Sequence, residues 1–217
     1  MLKRLILVPI VFAILILFSC DSRQSEEDGK AAVAAKTSTH HHHVADHKTR
    51  QYLDEINSGH VLHDTLEGSP LMLERMTIGK SKVRITYSSP GVKGREIWGK
   101  LVHYDRVWVS GAHQATTIKF THTVELNGKV IPAGKYALFT IPGKVKWTVI
   151  INKNYNQHLA DDYSADEDVA RFELVAQRMD KSVPRLRYRV IPRSMTDGEI
   201  NLEWERIRVS IPVHVPN

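Results

Sequence analysis

A single cysteine, Cys20, occurs in the 217 residues, so no internal disulfide can close. If that cysteine is consumed in processing, thiol catalysis is excluded as well. Long apolar runs are also missing. The longest, Leu5 to Phe18, has fourteen residues and would span about 21 Å as a helix against a hydrocarbon core of roughly 30 Å. That excludes a polytopic membrane protein and disfavours a permanent single span. Established catalytic signatures are absent too: there is no His-Glu-x-x-His, no Gly-x-Ser-x-Gly, no complete phosphate-binding Gly-x-x-x-x-Gly-Lys-Ser/Thr and no dinucleotide fingerprint. What is present is ordinary globular composition, 42% apolar and 25% charged, which excludes collagen and low-complexity disorder. Histidine is the oddity, because five of the twelve crowd into residues 40–47.

The first residues read as an address. Lys3 and Arg4 precede the apolar run, which stops at Ser19-Cys20 and the polar stretch from Asp21 to Asp28. This is the layout of a signal peptide over residues 1–19. Leu17-Phe18-Ser19-Cys20 resembles the lipobox of bacterial lipoproteins. The resemblance implies that Cys20 becomes the lipidated first residue of the mature chain, whose acyl chains at about 0.8 kcal/mol per buried methylene would hold it on a membrane. Ser25-Glu26-Glu27-Asp28 looks like the acidic export signals of Bacteroidota surface lipoproteins, whereas Asp21 would favour inner-membrane retention in enterobacteria. The expected place is the outer membrane, with the periplasmic and surface-exposed faces both open.

Residues 20–69 carry a net charge of −4 and residues 70–217 a net of +8. The first segment is rich in Ala, Ser, Thr, Asp and Glu and has too little apolar area to offset backbone ordering, so it reads as a flexible acidic, His-rich tether. A short helix over Val44 to Asn57, ended by Gly59, is expected inside it, with Leu53 and Ile56 as its apolar stripe.

From about residue 82 the apolar residues recur with period two, the mark of half-buried strands. Val83, Ile85 and Tyr87 form one face; Ile118, Phe120, Val124 and Leu126 another; Leu186, Tyr188 and Val190 a third. Asn127-Gly128, Pro142-Gly143 and Asp197-Gly198 are turn signals. Trp204 and Ile207 differ in parity, which demands a bulge near Glu205-Arg206. About eight antiparallel strands over residues 70–217 predict an all-β, jelly-roll-like sandwich.

Several runs together resemble the bacterial family catalogued as domain of unknown function 2911. They are Arg84 to Arg95, Trp98-Gly99-Lys100-Leu101-Val102, Gly111-Ala112, Ala115-Thr116-Thr117-Ile118 and Pro132 to Gly143. The resemblance implies a secreted or lipid-anchored β domain, mostly from Bacteroidota, without an established activity. Its commoner pattern carries Arg and Asn where this chain has Val109 and His113.

Candidate chemistry rests on histidine. His40, His41, His42, His43 and His47 in the tether could chelate a borderline divalent ion such as Zn or Cu, with His43 and His47 on one face if a helix starts there. In the domain, His103, His113 and His158 with Asp161 or Asp162 would make a transition-metal site, provided the loops meet. Asp161 to Asp168 also offers oxygens for calcium but lacks EF-hand spacing. His122 shares parity with Ile118 and Phe120 and is expected inward. Arg185, Arg187 and Arg189 alternate with apolar residues and are expected on an outward basic face that could meet phosphates or an acidic glycan, with Arg206 and Arg208 beside them. Trp98, Trp108, Trp147 and Trp204 suit a sandwich core. No aromatic-studded basic groove for nucleic acid is legible.

The leading expectation is therefore a lipid-anchored envelope protein that binds a ligand, an envelope glycan or a protein partner without catalysis. The alternative is a metal-dependent, hydrolase-like enzyme using His113, His158 and an aspartate, the metal polarising substrate or activating water. A purely structural envelope protein would show no pocket near Gly111.

Overall fold

The computed structural model describes residues 43–216. The leader, Cys20, the acidic Ser25-to-Asp28 run and His40 to His42 lie outside the described residues. Among those described, alternating apolar faces produce ten strands, all paired antiparallel, in two sheets. One sheet has six strands: β1 (Leu71–Ile78), β2 (Ser81–Ser88), β3 (Thr117–Phe120), β6 (Gly134–Ile141), β7 (Lys146–Asn152) and β8 (Asp168–Val175), in the order β1-β2-β3-β6-β7-β8. The other has the order β5-β4-β10-β9 and contains β4 (Val124–Leu126), β5 (Lys129–Ile131), β9 (Gln177–Pro192) and β10 (Asp197–His214). Their inner faces close on a core of Val83, Ile85, Ile118, Phe120, Leu138, Val149, Leu186, Tyr188, Ile200 and Leu202. The expected all-β sandwich is the observed fold.

Local chemistry explains the turns. Asn127 and Gly128 take positive φ of 47° and 75° between β4 and β5, the left-handed pair that a two-residue hairpin requires. The expected bulge is present: pairing of β10 with β9 shifts on both sides of Glu205, whose φ is 53°. The four tryptophans form one cluster, with Trp98 and Trp147 ring centroids 4.8 Å apart and Trp108 stacked on Trp204 at 5.9 Å.

Three expectations change. The alternation from Ile118 to Leu126 belongs to two strands, because Thr121, His122 and Thr123 carry the chain from the six-stranded sheet to the four-stranded one. His122 is consequently exposed, not inward. The segment from Ala45 to Gly68, read as the end of a loose tether, packs on the sandwich. Its helix α1 (His47–Ser58) is capped by the Asp46 carboxylate on the Thr49 N–H at 2.8 Å and stopped by Gly59 at φ 84°, with Leu53 and Ile56 buried as expected. Finally, Arg185 is wholly buried. Its Nε donates to Asp64 Oδ2 at 2.8 Å, and its other nitrogens donate to the backbone carbonyls of Leu66, Gly68 and Ser89. Of these four charge-assisted contacts three come from residues 64–68, and Asn57 Oδ1 also accepts the Arg185 backbone N–H at 2.9 Å, so the segment from Asn57 to Gly68 is the partner that the buried guanidinium needs.

Candidate functional site

The outer face of the six-stranded sheet is covered unevenly. Over β6 and β7, Ala137, Phe139 and Ile150 are roofed by Val109 and Ala115, with Val107, Ala160 and Tyr163 packed around them. The roof is built from two loops. In the first, Trp108 pairs with Thr140 of β6, and the chain then leaves the sheet at Val109 and returns at Thr116, whose N–H reaches back to the Val109 carbonyl at 3.3 Å before β3 begins. The second loop, residues 153–163, docks on the first: the Leu159 N–H donates to the His113 carbonyl at 2.7 Å and the Ala115 N–H to the Gln157 carbonyl at 3.0 Å.

Backbone strain gathers at this junction. Ser110, His113 and Leu159 all hold positive φ, of 55°, 62° and 49°. Non-glycine residues in that region carry a cost of order 1–3 kcal/mol each and persist where the surroundings over-determine them. Here the surroundings do. The Ser110 carbonyl accepts from Thr116 Oγ1 at 3.1 Å and from the buried Tyr188 hydroxyl at 2.9 Å, and Ser110 Oγ lies 3.0 Å from Thr140 Oγ1. Burial pushes the Tyr188 phenol well above its ordinary range, so it stays a neutral donor. Gly111 has no room for a side chain, since a Cβ would meet Thr116 Oγ1 at 2.8 Å and the Ser88 carbonyl at 3.2 Å.

Against the edge of this roof lies a recess of about 260 Å³. Its walls include Thr86, Ser88, Thr117, His113, Gln114 and Asn156, and the Lys135 ammonium sits 4.5 Å from the centre of the Tyr155 ring at its mouth. Hydroxyls, an imidazole, amides, one cation and an aromatic face therefore converge on one opening, the mixture that fixes a small polar ligand.

The expected metal residues are only partly gathered. His113 and His158 stand on the two hydrogen-bonded loops, and His158 Nδ1 is 3.2 Å from Asp161 Oδ2, with both side chains more than half exposed. Asp162 is exposed and contributes its carbonyl to Asn154. His103 belongs to another loop, beside the Asp105 N–H that donates to the Pro142 carbonyl. Among the described residues no group of three or more His, Cys, Asp or Glu is placed to hold a metal ion. In the tether, Asp46 caps the helix, so His43 precedes it and does not share a helical face with His47. Of the acidic run, Asp168 is committed to structure: it accepts from Asn152, Tyr163 and Arg171.

Comparison with known proteins adds one finding. The family model for a protein of unknown function, DUF2911, matches residues 69–213, more than half of the chain. The chain belongs to that family. No curated protein and no solved structure matches it. Motifs of the resemblance acquire physical roles in this member. Ser89 Oγ donates to the Leu186 carbonyl at 2.7 Å, and Gly91 bridges Arg185, where a Cβ would strike Asp64 Oδ2 at 2.6 Å. Position 113 needs a left-handed backbone, where His is enriched among non-glycine residues. Lys135 and Tyr155 were missed by sequence reading; their pairing depends on which loop meets the start of β6.

Proposed function

We propose that this protein is a non-catalytic binding module of the bacterial cell envelope, lipid-anchored at Cys20, and that its ligand enters the recess beside the Val109–Thr116 loop. The carrying observation is the recess itself: strained, cross-braced backbone presents His113 and Gln114 opposite Lys135 and Tyr155. Pre-organised loops of this type lower the ordering cost of binding. A pocket near Gly111 is also the feature a purely structural envelope protein would lack. The anchor rests on the lipobox-like Leu17-to-Cys20 run and the apolar leader before it.

Two measurements test this reading. Ligand-observed NMR with the detergent-solubilised full-length protein should detect a small polar or sugar ligand that Thr117→Trp, which fills the recess from β3, no longer binds. Equal binding by the variant would refute the recess. Metabolic labelling with an alkyne fatty acid should tag the wild type and leave Cys20→Ala blank, and an untagged wild type would refute the anchor.

The metal-enzyme reading keeps one favourable observation, the adjacency of His113 to the His158–Asp161 pair. Zinc titration of Asp161→Asn against wild type decides it, because a site built on that pair must lose affinity in the variant.

A further inference from the structure

The uncovered half of the outer sheet face carries a row of cations that no strand alone reveals. Arg75 of β1 pairs with Arg84 of β2, Arg84 with Lys119 of β3, and Lys119 with Lys135 of β6. Four like charges therefore stand directly opposite one another across four strands, over three interstrand steps of about 4.8 Å, roughly 14 Å in all. All four side chains are exposed. Among the described residues, Arg75, Arg84 and Lys119 have no carboxylate partner, while the ion pairs lie elsewhere, on β7 and β8 at the far side of the sheet, on β9 and β10, and on the loops. Like charges directly opposite in a sheet are unfavourable, so the row is no device for folding. It lies along a groove of about 450 Å³ that Lys82, Thr77 and Thr121 also line, and its last member, Lys135, lines the recess described above.

We infer that this groove binds a linear, acidic oligosaccharide, whose carboxylates or sulfates lie along Arg75, Arg84, Lys119 and Lys135 and whose end enters the recess. This rests on the proposed binding function and names its substrate class. Three features select the ligand. Guanidinium forks on Arg75 and Arg84 match planar oxyanions bidentately. Thr77, Thr86 and Thr117 line the groove and the recess and offer hydroxyls to sugar hydroxyls. An acidic peptide is disfavoured because the row crosses the strands on the face of the sheet, where the backbone is already paired and nothing satisfies a peptide's own N–H and C=O groups. A flat anionic membrane is disfavoured because the row leads into a recess walled by His113 and Gln114 of the Val109–Thr116 loop, which a planar surface does not enter.

Isothermal titration of the full-length protein in detergent tests this with three probes: a heparin-derived hexasaccharide, a hexagalacturonate and neutral maltohexaose. Expected are binding of at least one acidic hexamer but not of maltohexaose, weakening with added salt, and a loss of about tenfold or more in the double variant R84E/K119E, where two favourable pairings become repulsions. Vesicles containing phosphatidylglycerol and poly-glutamate serve as competing partners. Tighter binding to either than to both acidic hexamers, or no acidic hexamer bound at all, would overturn the inference. Hexamer binding that survives R84E/K119E but is lost in Thr117→Trp would overturn the acidic assignment and leave the recess standing. Binding lost in R84E/K119E and untouched by Thr117→Trp would uphold the row and remove the recess from the site.

Discussion

Two arginine-bearing regions of this sandwich are handled in opposite ways. On β9 and β10 every buried charge has a counter-charge: Arg185 is locked to Asp64, and Glu203, fully buried, accepts from Arg187 at 2.6 Å and from Arg208 at 2.7 Å. On β1, β2 and β3 the arginines and lysine face one another with no acid between them. Charges in the first region hold the chain together, and charges in the second are left for something else. Stability measurements should therefore move in opposite directions when the two regions are neutralised.

The largest effect is expected at Arg185. Replacing it with methionine strands the Asp64 carboxylate, whose side chain is only 8% exposed, and removes the donors to three backbone carbonyls. Breaking one partner of a buried pair costs about 3–5 kcal/mol. Denaturant unfolding should register a loss of that size, and the segment 57–68 should become the first site of proteolysis. A loss below about 1 kcal/mol would mean that the helix segment is held by other contacts.

Glu203→Leu should cost less, about 1–3 kcal/mol by the same measurement. The orphaned groups here are Arg187 and Arg208, whose side chains are 26% and 36% exposed and can turn toward water. Glu74 gives a smaller effect with a pH signature. It points inward from β1, accepts only the Val190 N–H at 3.1 Å, and burial raises its pKa against the opposing pull of that bond. A carboxyl with a raised folded-state pKa contributes stability that is complete below its unfolded pKa and is lost as pH rises through the folded value. Glu74→Gln keeps the acceptor and removes the titration, so its stability should gain on the wild type over the pH range above the ordinary carboxylate value of about 4. Unfolding curves that stay parallel across that window would show that Glu74 is better solvated than its position suggests.

How much of this contrast was readable from the sequence depends on what period two can report. Alternation assigns a side chain to a face, and it did so correctly for the inward Val83 and Ile85 and for Leu186, Tyr188 and Val190. It says nothing of what lies over that face. Arg185 has outward parity yet is buried, because a segment more than a hundred residues earlier folds across it. Strand β1 escaped notice since Glu74 interrupts the inward set of Met72 and Ile78. The Thr121-to-Thr123 crossover kept the parity of a single strand while changing sheets. The candidate site was legible in one part, the Gly111-to-His113 loop, whose glycine and histidine pointed to it. Its other wall, Lys135 with Tyr155, and the basic row required register, which only the folded topology supplies.

The smallest effect carries the sharpest version of the contrast, because its sign is inverted. Arg84 sits between Arg75 and Lys119, so Arg84→Thr removes two unfavourable cross-strand neighbours and places a β-branched residue at a strand position. Each like-charge pairing is worth roughly 0.2–1 kcal/mol, reduced by exposure. The variant should therefore be more stable than wild type by about 0.5 kcal/mol at low salt, and the gain should shrink as ionic strength shortens the screening length from about 30 Å at 0.01 M to about 3 Å at 1 M. Denaturant titrations at those two salt concentrations measure it. A loss of stability, or a salt-independent gain, would mean that Arg84 packs or pairs in a way that makes it part of the fold. A salt-sensitive gain would mean that the sheet retains a charge it folds better without, as expected where stability is traded for a binding surface.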